Sequence, residues 1–403
     1  MEFNKDVPRI MHIDLNSCFA TIEQQANPTL RGKPIAVSAY NNPNSCILAP
    51  SIEAKKLGIK VGMKVSEGKS IYPNLTILVP DPNKYRFVHQ RLRSILNFYC
   101  SCVIPKSIDE FVLDFSKGHD ENTNLHKVAF DIKNQIKSRV GEALTASIGI
   151  GSNRFLAKTA SNLHKPNGLD EINIKNYLKI YETLRLTDLC GIKKANAKRL
   201  NNFGIFTVLD FYNASILKLK QAFGSICGYY WYLRLRGFEI DTVEFKRQSF
   251  GNSFVTPPQF SRFNDIQPIL SKLCNKASFR MRNSGYFCNG VSLAISFRDG
   301  NFWHLGRNFS QNLLLGQEIF ACSKSLLEKC HYRSNILSIS VSCFSLQKIL
   351  PFKQMDMFGF WDRKVNLAYA LDLVNNKWGE YSLITANALK AKNLMPERIA
   401  FGK

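Results

Sequence analysis

The 403-residue sequence has no apolar run of about 18 residues, so no membrane-spanning helix is expected and no membrane partner. Its opening residues, Met1-Glu2-Phe3-Asn4-Lys5-Asp6, contain no apolar signal stretch, and the expected location is the cytoplasm. None of the 11 cysteines belongs to a Cys-x-x-Cys pair, and their number is odd, so reduced thiols are expected rather than a disulfide framework. Cys100-Ser101-Cys102 and Cys330-His331 are the only close groupings, too few for a tetrahedral zinc site. Most of the cysteines should therefore serve as small buried apolar residues. No internal repeat or low-complexity tract is present. Negative charge is scarce: 31 Asp and Glu face 54 Lys and Arg, a net charge of +23. Such an excess favours a polyanionic partner, because neutralising phosphates releases counterions. A basic protein that is merely soluble, or one that binds membrane surfaces, is the alternative at this point.

The chain is too long for one compact core, which implies several domains. Residues 10–15 read as a buried strand ending near a carboxylate, and 17–25 as the start of a helix. Residues 35–38 form a short strand pattern followed by the loop 41–44, and 51–57 read as a helix stopped by Gly58. Residues 85–99 and 128–140 are amphipathic helix patterns, 144–150 a strand, and 153–163 a helix ending before Lys165-Pro166-Asn167-Gly168. Between them, 107–115 reads as strand, acidic pair, strand. Helices and strands thus alternate without strict βαβ order, an α+β pattern. Residues 176–240 are helical and basic. Strand patterns return over 290–298 and 336–342, with helices near 266–283 and 312–330 before each. The tail shows a short helix over 364–376 with loosely ordered flanks.

Asp109-Glu110 is the sharpest chemical feature, two adjacent acids flanked by Ile108 and Phe111-Val112-Leu113. A carboxylate among buried strands is costly unless paired. Two together repel, which a proton or a divalent cation resolves. Asp14 is a third carboxylate at another strand end, and two metals about 4 Å apart could share such ligands. On spacing alone, an exposed acidic turn and an unrelated strand-end Asp explain the same residues.

Several motifs in order resemble the Y-family, or translesion, DNA polymerases, the group that includes DNA polymerase IV and the UmuC-type enzymes. His12-Ile13-Asp14-Leu15-Asn16-Ser17-Cys18-Phe19 resembles the family's first catalytic motif, and Ser107-Ile108-Asp109-Glu110-Phe111 its second. Arg31-Gly32-Lys33-Pro34-Ile35-Ala36-Val37 resembles the entry to the fingers. Ala146-Ser147-Ile148-Gly149-Ile150-Gly151-Ser152-Asn153-Arg154-Phe155 and Lys165-Pro166-Asn167-Gly168 resemble the late palm motif. The detailed match covers about residues 8–205.

The resemblance implies a multi-domain α+β right-hand polymerase. Its palm would be 1–25 and 78–175, its small fingers 26–77 and its helical thumb with a helix-hairpin-helix 176–240. An α/β little finger would follow over 241–350, then a clamp-binding motif and tail over 351–403. The implied activity is template-directed, low-fidelity DNA synthesis, adding dNTPs to a primer 3′-hydroxyl by two-metal transfer with release of pyrophosphate. Asp14, Asp109 and Glu110, joined by the Leu15 carbonyl, would hold two Mg2+ ions, with Mn2+ as an alternative. Phe19 falls on the steric-gate position, where a ring excludes a ribose 2′-hydroxyl. Lys55 and Lys165 match positions that touch the incoming triphosphate. Two departures stand out: Asn16 where a second Asp is frequent, and Ile52 where many members carry a triphosphate-binding Tyr, whose hydrogen bond Ile cannot make.

Leu189-Cys190-Gly191-Ile192-Lys193-Lys194 reads as a tight glycine turn entering a basic helix, whose backbone N–H groups suit a phosphate. It resembles the thumb's helix-hairpin-helix, making Gly191, Lys193, Lys194 and Lys198 candidate DNA contacts. Lys246, Arg247, Arg280, Arg282 and Arg298 are further candidates in the little finger. Gln354-Met355-Asp356-Met357-Phe358 resembles the bacterial sliding-clamp (beta clamp) pentapeptide, with Gln354, Asp356, Met357 and Phe358 as the docking residues. The implied partners are primer-template DNA, dNTP and the clamp, around a monomer; whether a UmuD-like protein is also needed stays open. Two other readings share these residues: a non-catalytic DNA- and clamp-binding accessory of another polymerase, and a metal-dependent nuclease.

Overall fold

The computed structural model describes residues 1–118, 123–242, 246–256, 263–332, 334–349, 359–379, 382–391 and 395. They form two compact units, divided between 242 and 246. The first unit starts with strand β1 (Ile10–Leu15) and helix α1 (Cys18–Ala26). A small sheet follows, built from β2 (Ile35–Ser38), β3 (Ile47–Pro50) and β4 (Thr76–Leu78), with the short helices α2 (Ile52–Lys56) and α3 (Val65–Ile71) between its strands. The chain then returns through α4 (Pro82–Tyr99), β5 (Val103–Pro105), β6 (Glu110–Asp114), α5 (Leu125–Arg139), β7 (Ala146–Gly151), α6 (Arg154–Ser161) and β8 (Leu169–Ile172).

These elements make a sheet of order β5-β6-β1-β7-β8. The central strand β1 is buried along its whole length because β6 and β7 flank it, and four of its six residues are apolar, His12 and Asp14 being the exceptions. Tyr85, Val88, Leu92 and Leu96 of α4 and Ala129, Ile132 and Ile136 of α5 pack into the same core as Met11, Ile13 and Leu113. Helix α6 approaches β7 so closely that a Cβ at Gly149 would lie 2.1 Å from the Ala157 carbonyl oxygen, so only glycine fits there.

Residues 107–109 are not strand, contrary to the sequence expectation. The Ser107 hydroxyl accepts the backbone N–H of Glu110 at 3.1 Å and donates to the Asp109 carboxylate, folding 106–109 into a turn. This local side-chain bonding competes with the ladder, so the strand begins at Glu110. Five helices complete the unit: α7 (Tyr177–Thr183), α8 (Lys194–Asn201), α9 (Val208–Asn213), α10 (Ile216–Phe223) and α11 (Cys227–Leu235). They pack around Tyr181, Leu200, Phe211 and Trp231 in a second core, which Phe155, Leu156 and Ala160 of α6 and Ile172 of β8 join.

The second unit contains β9 (Phe250–Val255), α12 (Phe263–Asn283), β10 (Tyr286–Phe297), β11 (Phe302–Leu313), α13 (Gly316–Leu327), β12 (Ile336–Lys348) and α14 (Phe360–Trp378). Its antiparallel sheet has the order β11-β10-β12-β9, and α12 and α13 pack on each other and on the sheet. The expected helix from 312 starts only at Gly316, because β11 runs to Leu313. Helix α14 is longer than its sequence pattern suggested, and side chains of the unit anchor it. Arg282 makes a two-pronged ion pair with Asp372 at 2.8 and 2.6 Å, Lys364 reaches Glu318, and the Trp361 ring meets Phe287 edge-on. Removing one partner of a largely buried pair leaves the other charge stranded. Arg282→Ala should therefore destabilise this unit by about 2–3 kcal/mol. A thermal transition at the parent's temperature would show the pair to be incidental.

Candidate active site

Strand register assembles the acidic site. Asp14 at the end of β1 is the direct cross-strand partner of Glu110, the first residue of β6. The Leu15 N–H donates to the Asp109 carbonyl at 3.1 Å, so the turn before β6 closes against the same strand end. Directly opposed residues of an antiparallel pair have Cβ atoms about 4.5–5.5 Å apart, so residues 14 and 110 project together from one face. Acids separated by most of the domain in sequence become neighbours without any loop rearrangement.

Each carboxylate has a partner. Lys165 Nζ donates to Asp14 Oδ2 at 2.6 Å, and Lys158 Nζ to both Glu110 oxygens at 2.8 and 2.6 Å. Burial pushes the Asp14 carboxyl pKa up; Lys165 counters this, while Glu110 and Asp109 add to it. At Glu110 burial also pushes upward, but the Lys158 hydrogen bond and charge outweigh it and hold the carboxyl below its usual range. Lys158 is raised in return, against the effect of its own burial. His12, beside Glu110, is lowered to about 4, burial being the main cause, and is neutral at physiological pH.

Among the described residues, no three Asp, Glu, His or Cys side chains converge as a ready-made metal centre. The donor chemistry nevertheless fits hard divalent cations: three carboxylates at adjoining strand ends, one of them disfavoured as an anion by burial and by its acidic neighbours. Lys165 and Lys158 supply the compensating positive charge. Rotation of these two flexible side chains would free Asp14 and Glu110 with the backbone register unchanged.

Asp14 and Asp109 open onto a cleft that Phe19, Ile52, Lys55 and Lys165 also line, whereas Glu110, held by Lys158, lies behind its lining. Register and α2 thus bring the predicted lysines to the same cavity as the acids. Burial lowers the Lys55 pKa, with Lys165 adding to the shift and Asp14 opposing it. Leu15 lines the cleft as well, and Ile52 gives it an apolar wall where a hydroxyl was expected to be missing. Phe19 is only 4% exposed and stacks on Tyr85, ring centroids 4.4 Å apart. The Tyr85 hydroxyl donates to Glu23 Oε1 at 2.9 Å, and Lys84 Nζ to Glu23 Oε2 at 2.8 Å. Sequence reasoning missed Tyr85 and Glu23 as supports of Phe19. The one available signal was an acid on the apolar face of α1, which demands a buried partner.

The other predicted residues lie elsewhere. Gly191 has φ +94°, in the left-handed region, and Asn196 Nδ2 donates to its carbonyl at 3.1 Å. Lys193, Lys194 and Lys198 follow on or beside α8, all exposed. In the second unit Lys246 and Arg247 are exposed, whereas Arg280 bonds Gly251 and Asn252, Arg298 bonds the Thr256 carbonyl, and Arg282 is engaged by Asp372. Arg282 is thereby held within the unit by Asp372. Gln354, Asp356, Met357 and Phe358 lie outside the described residues.

Family models match the chain twice: the impB/mucB/samB family over residues 13–162 and the impB/mucB/samB family C-terminal domain over 247–357. A DNA polymerase IV from Staphylococcus haemolyticus is 35% identical over 266 residues, covering 66% of this chain and 73% of that protein. The chain belongs to the Y-family DNA polymerases. A DNA polymerase IV from Pelotomaculum thermopropionicum is 29% identical over 397 residues, 96% of this chain and 97% of the relative. In fold, the polymerase matches a Y-family DNA polymerase chimera, Dbh-Dpo4(243-245)-Dbh, with a TM-score of 0.71 at 24% identity over 83% of this chain and 98% of that one. A Dbh ternary complex matches with a TM-score of 0.57 at 25% identity over 83% and 98%. The multi-domain α+β architecture is therefore that of this family, and the chain is a DNA-directed DNA polymerase that carries out translesion synthesis. Family membership also implies dependence on a divalent metal. No helix among the described residues is long and apolar enough to cross a membrane.

Proposed function

We propose that Asp14, Asp109 and Glu110, with the Leu15 carbonyl, hold two Mg2+ ions, replaceable by Mn2+, at which a dNTP is joined to a primer 3′-hydroxyl. The observation that carries this reading is the pairing of Asp14 with Glu110 across β1 and β6, with Asp109 bonded to the same strand end. When bound, such ions lower the pKa of the attacking hydroxyl and stabilise the leaving pyrophosphate. Lys165 and Lys55 hold the triphosphate as point charges on flexible stems, a mode suited to phosphate. Lys165 exchanges its bond to Asp14 for the nucleotide. Phe19, backed by Tyr85, closes the cleft against a 2′-hydroxyl.

In this reading residues 1–25 and 78–175 are the palm, 26–77 the fingers, 176–240 the thumb and 241–350 the little finger. The exposed Lys193, Lys194 and Lys198 beside Gly191 then grip primer-template phosphates without reading sequence. The polymerase acts in the cytoplasm on DNA held by the sliding clamp, which the segment from Gln354 to Phe358 engages. Primer extension tests the whole reading. Extension with dNTPs and Mg2+, abolished by a chelator, is the expected result; no reaction points to a non-catalytic accessory, and primer shortening to a nuclease. Replacing Gln354 and Phe358 with Ala should remove stimulation by the clamp, which for the parent is expected as a rise in processivity. An equal fall in synthesis on bare primer-template would mean that the pentapeptide is structural.

A further inference from the structure

Asn16 leaves β1 just past Asp14 and is 5% exposed. Its backbone N–H donates to the Thr145 carbonyl at 2.9 Å. Its side-chain Oδ1 accepts the Asn167 backbone N–H at 2.7 Å and the Thr145 hydroxyl at 3.1 Å, while Nδ2 donates to Ser147 Oγ at 2.9 Å. Ser147, fully buried on β7, also accepts the Gly168 N–H at 3.3 Å. Asn167 has φ 60°, a left-handed conformation that asparagine tolerates, and its carbonyl accepts Lys133 Nζ at 2.6 Å. The loop that carries Lys165 is thus fastened from behind to the strand that carries Asp14. In front, Lys165 Nζ meets Asp14 Oδ2.

We propose that Asn16 is a positioning residue: by holding Asn167 it fixes the base of the Lys165 side chain over the cleft and so sets dNTP affinity. The proposal rests on Lys165 binding the triphosphate. A lysine has a long, mobile stem, and its charge reaches a defined point only if its Cα is held. Without Oδ1, the Asn167 N–H loses its partner and the loop must move to satisfy it. Aspartate at this position keeps the acceptor, and the Ser147 hydroxyl can turn to donate to it. Leucine, of similar size, keeps the packing and the backbone bond to Thr145 and removes every side-chain bond.

The test is the dNTP dissociation constant and maximal rate of single-nucleotide insertion on saturating primer-template. It compares Asn16→Leu, Asn16→Asp, Lys165→Ala and the Asn16→Leu/Lys165→Ala double variant. Asn16→Leu and Lys165→Ala should each weaken dNTP binding about tenfold, with a smaller change in maximal rate. The double variant should be no weaker than Lys165→Ala, because the two residues act in one chain of contacts. Asn16→Asp should lie within about twofold of the parent, giving a folded comparison even where leucine lowers the melting temperature. Effects that multiply in the double variant, an aspartate as impaired as leucine, or a loss of rate without loss of affinity would each overturn the proposal. Lys165→Ala with unaltered affinity would remove the Lys165 reading and this proposal with it. Unaltered affinity in Asn16→Leu alone would remove only this one.

Discussion

Asp109→Ala should lower primer extension by about 10³-fold or more and leave primer-template binding intact. A metal in such a site contributes several kcal/mol of charge stabilisation to the transition state, and about 1.4 kcal/mol corresponds to tenfold in rate. The fold should tolerate the change. Asp109 sits half-buried in the turn before β6, where its carboxylate accepts one bond from Ser107 and its backbone carbonyl, which alanine keeps, accepts the Leu15 N–H. Loss of a negative charge beside a cleft lined by Lys55 and Lys165 gives DNA phosphates no reason to leave. Extension is read on a running-start template and binding by fluorescence anisotropy on the same duplex. Retained extension would remove the carboxylate model, since Lys158 and Lys165 would then be neutralising acids with no further role.

The strand that carries Asp14 was legible because burial on both sides leaves an apolar run, and its end was legible because a carboxylate interrupts that run. The pairing of Asp14 with Glu110 was not, since register depends on which strands meet. It became an expectation only through the family's motifs. β11 was missed for a different reason. Its outward side chains are solvated and its inward ones only partly covered, so Phe302 to Leu313 shows no clean alternation. The turn at 107–109 was read as strand because its apolar neighbours dominate the pattern, while the decisive contact is a single serine hydroxyl. α14 was clipped at both ends because its stability comes from Arg282, Glu318 and Phe287, residues distant in the chain, rather than from its own periodicity. The partners of the acids, Lys158 and Lys165, are likewise ordinary lysines until the sheet places them.

Phe19→Ala should raise incorporation of ribonucleotides relative to deoxyribonucleotides by about 10²-fold. The ring is held from behind: it stacks on Tyr85, whose hydroxyl is fixed by Glu23, itself paired with Lys84. A ring so supported resists recoil, so under the proposed role a 2′-hydroxyl meeting it would be rejected by contact rather than by a lost hydrogen bond. Burial of Phe19 means that alanine also leaves a cavity, at a cost of about 3–5 kcal/mol, so the ratio must be read at low temperature beside a melting curve. Tyr85 separates the two effects. Tyr85→Phe keeps the stacked ring and should keep sugar discrimination, whereas Tyr85→Ala lets Phe19 retreat and should relax it part-way without touching the nucleotide. Sugar selectivity unchanged in Phe19→Ala would assign the ring to the core alone. Relaxation in Tyr85→Phe as large as in Tyr85→Ala would place the discrimination in the Glu23 hydrogen bond instead of in the packed rings.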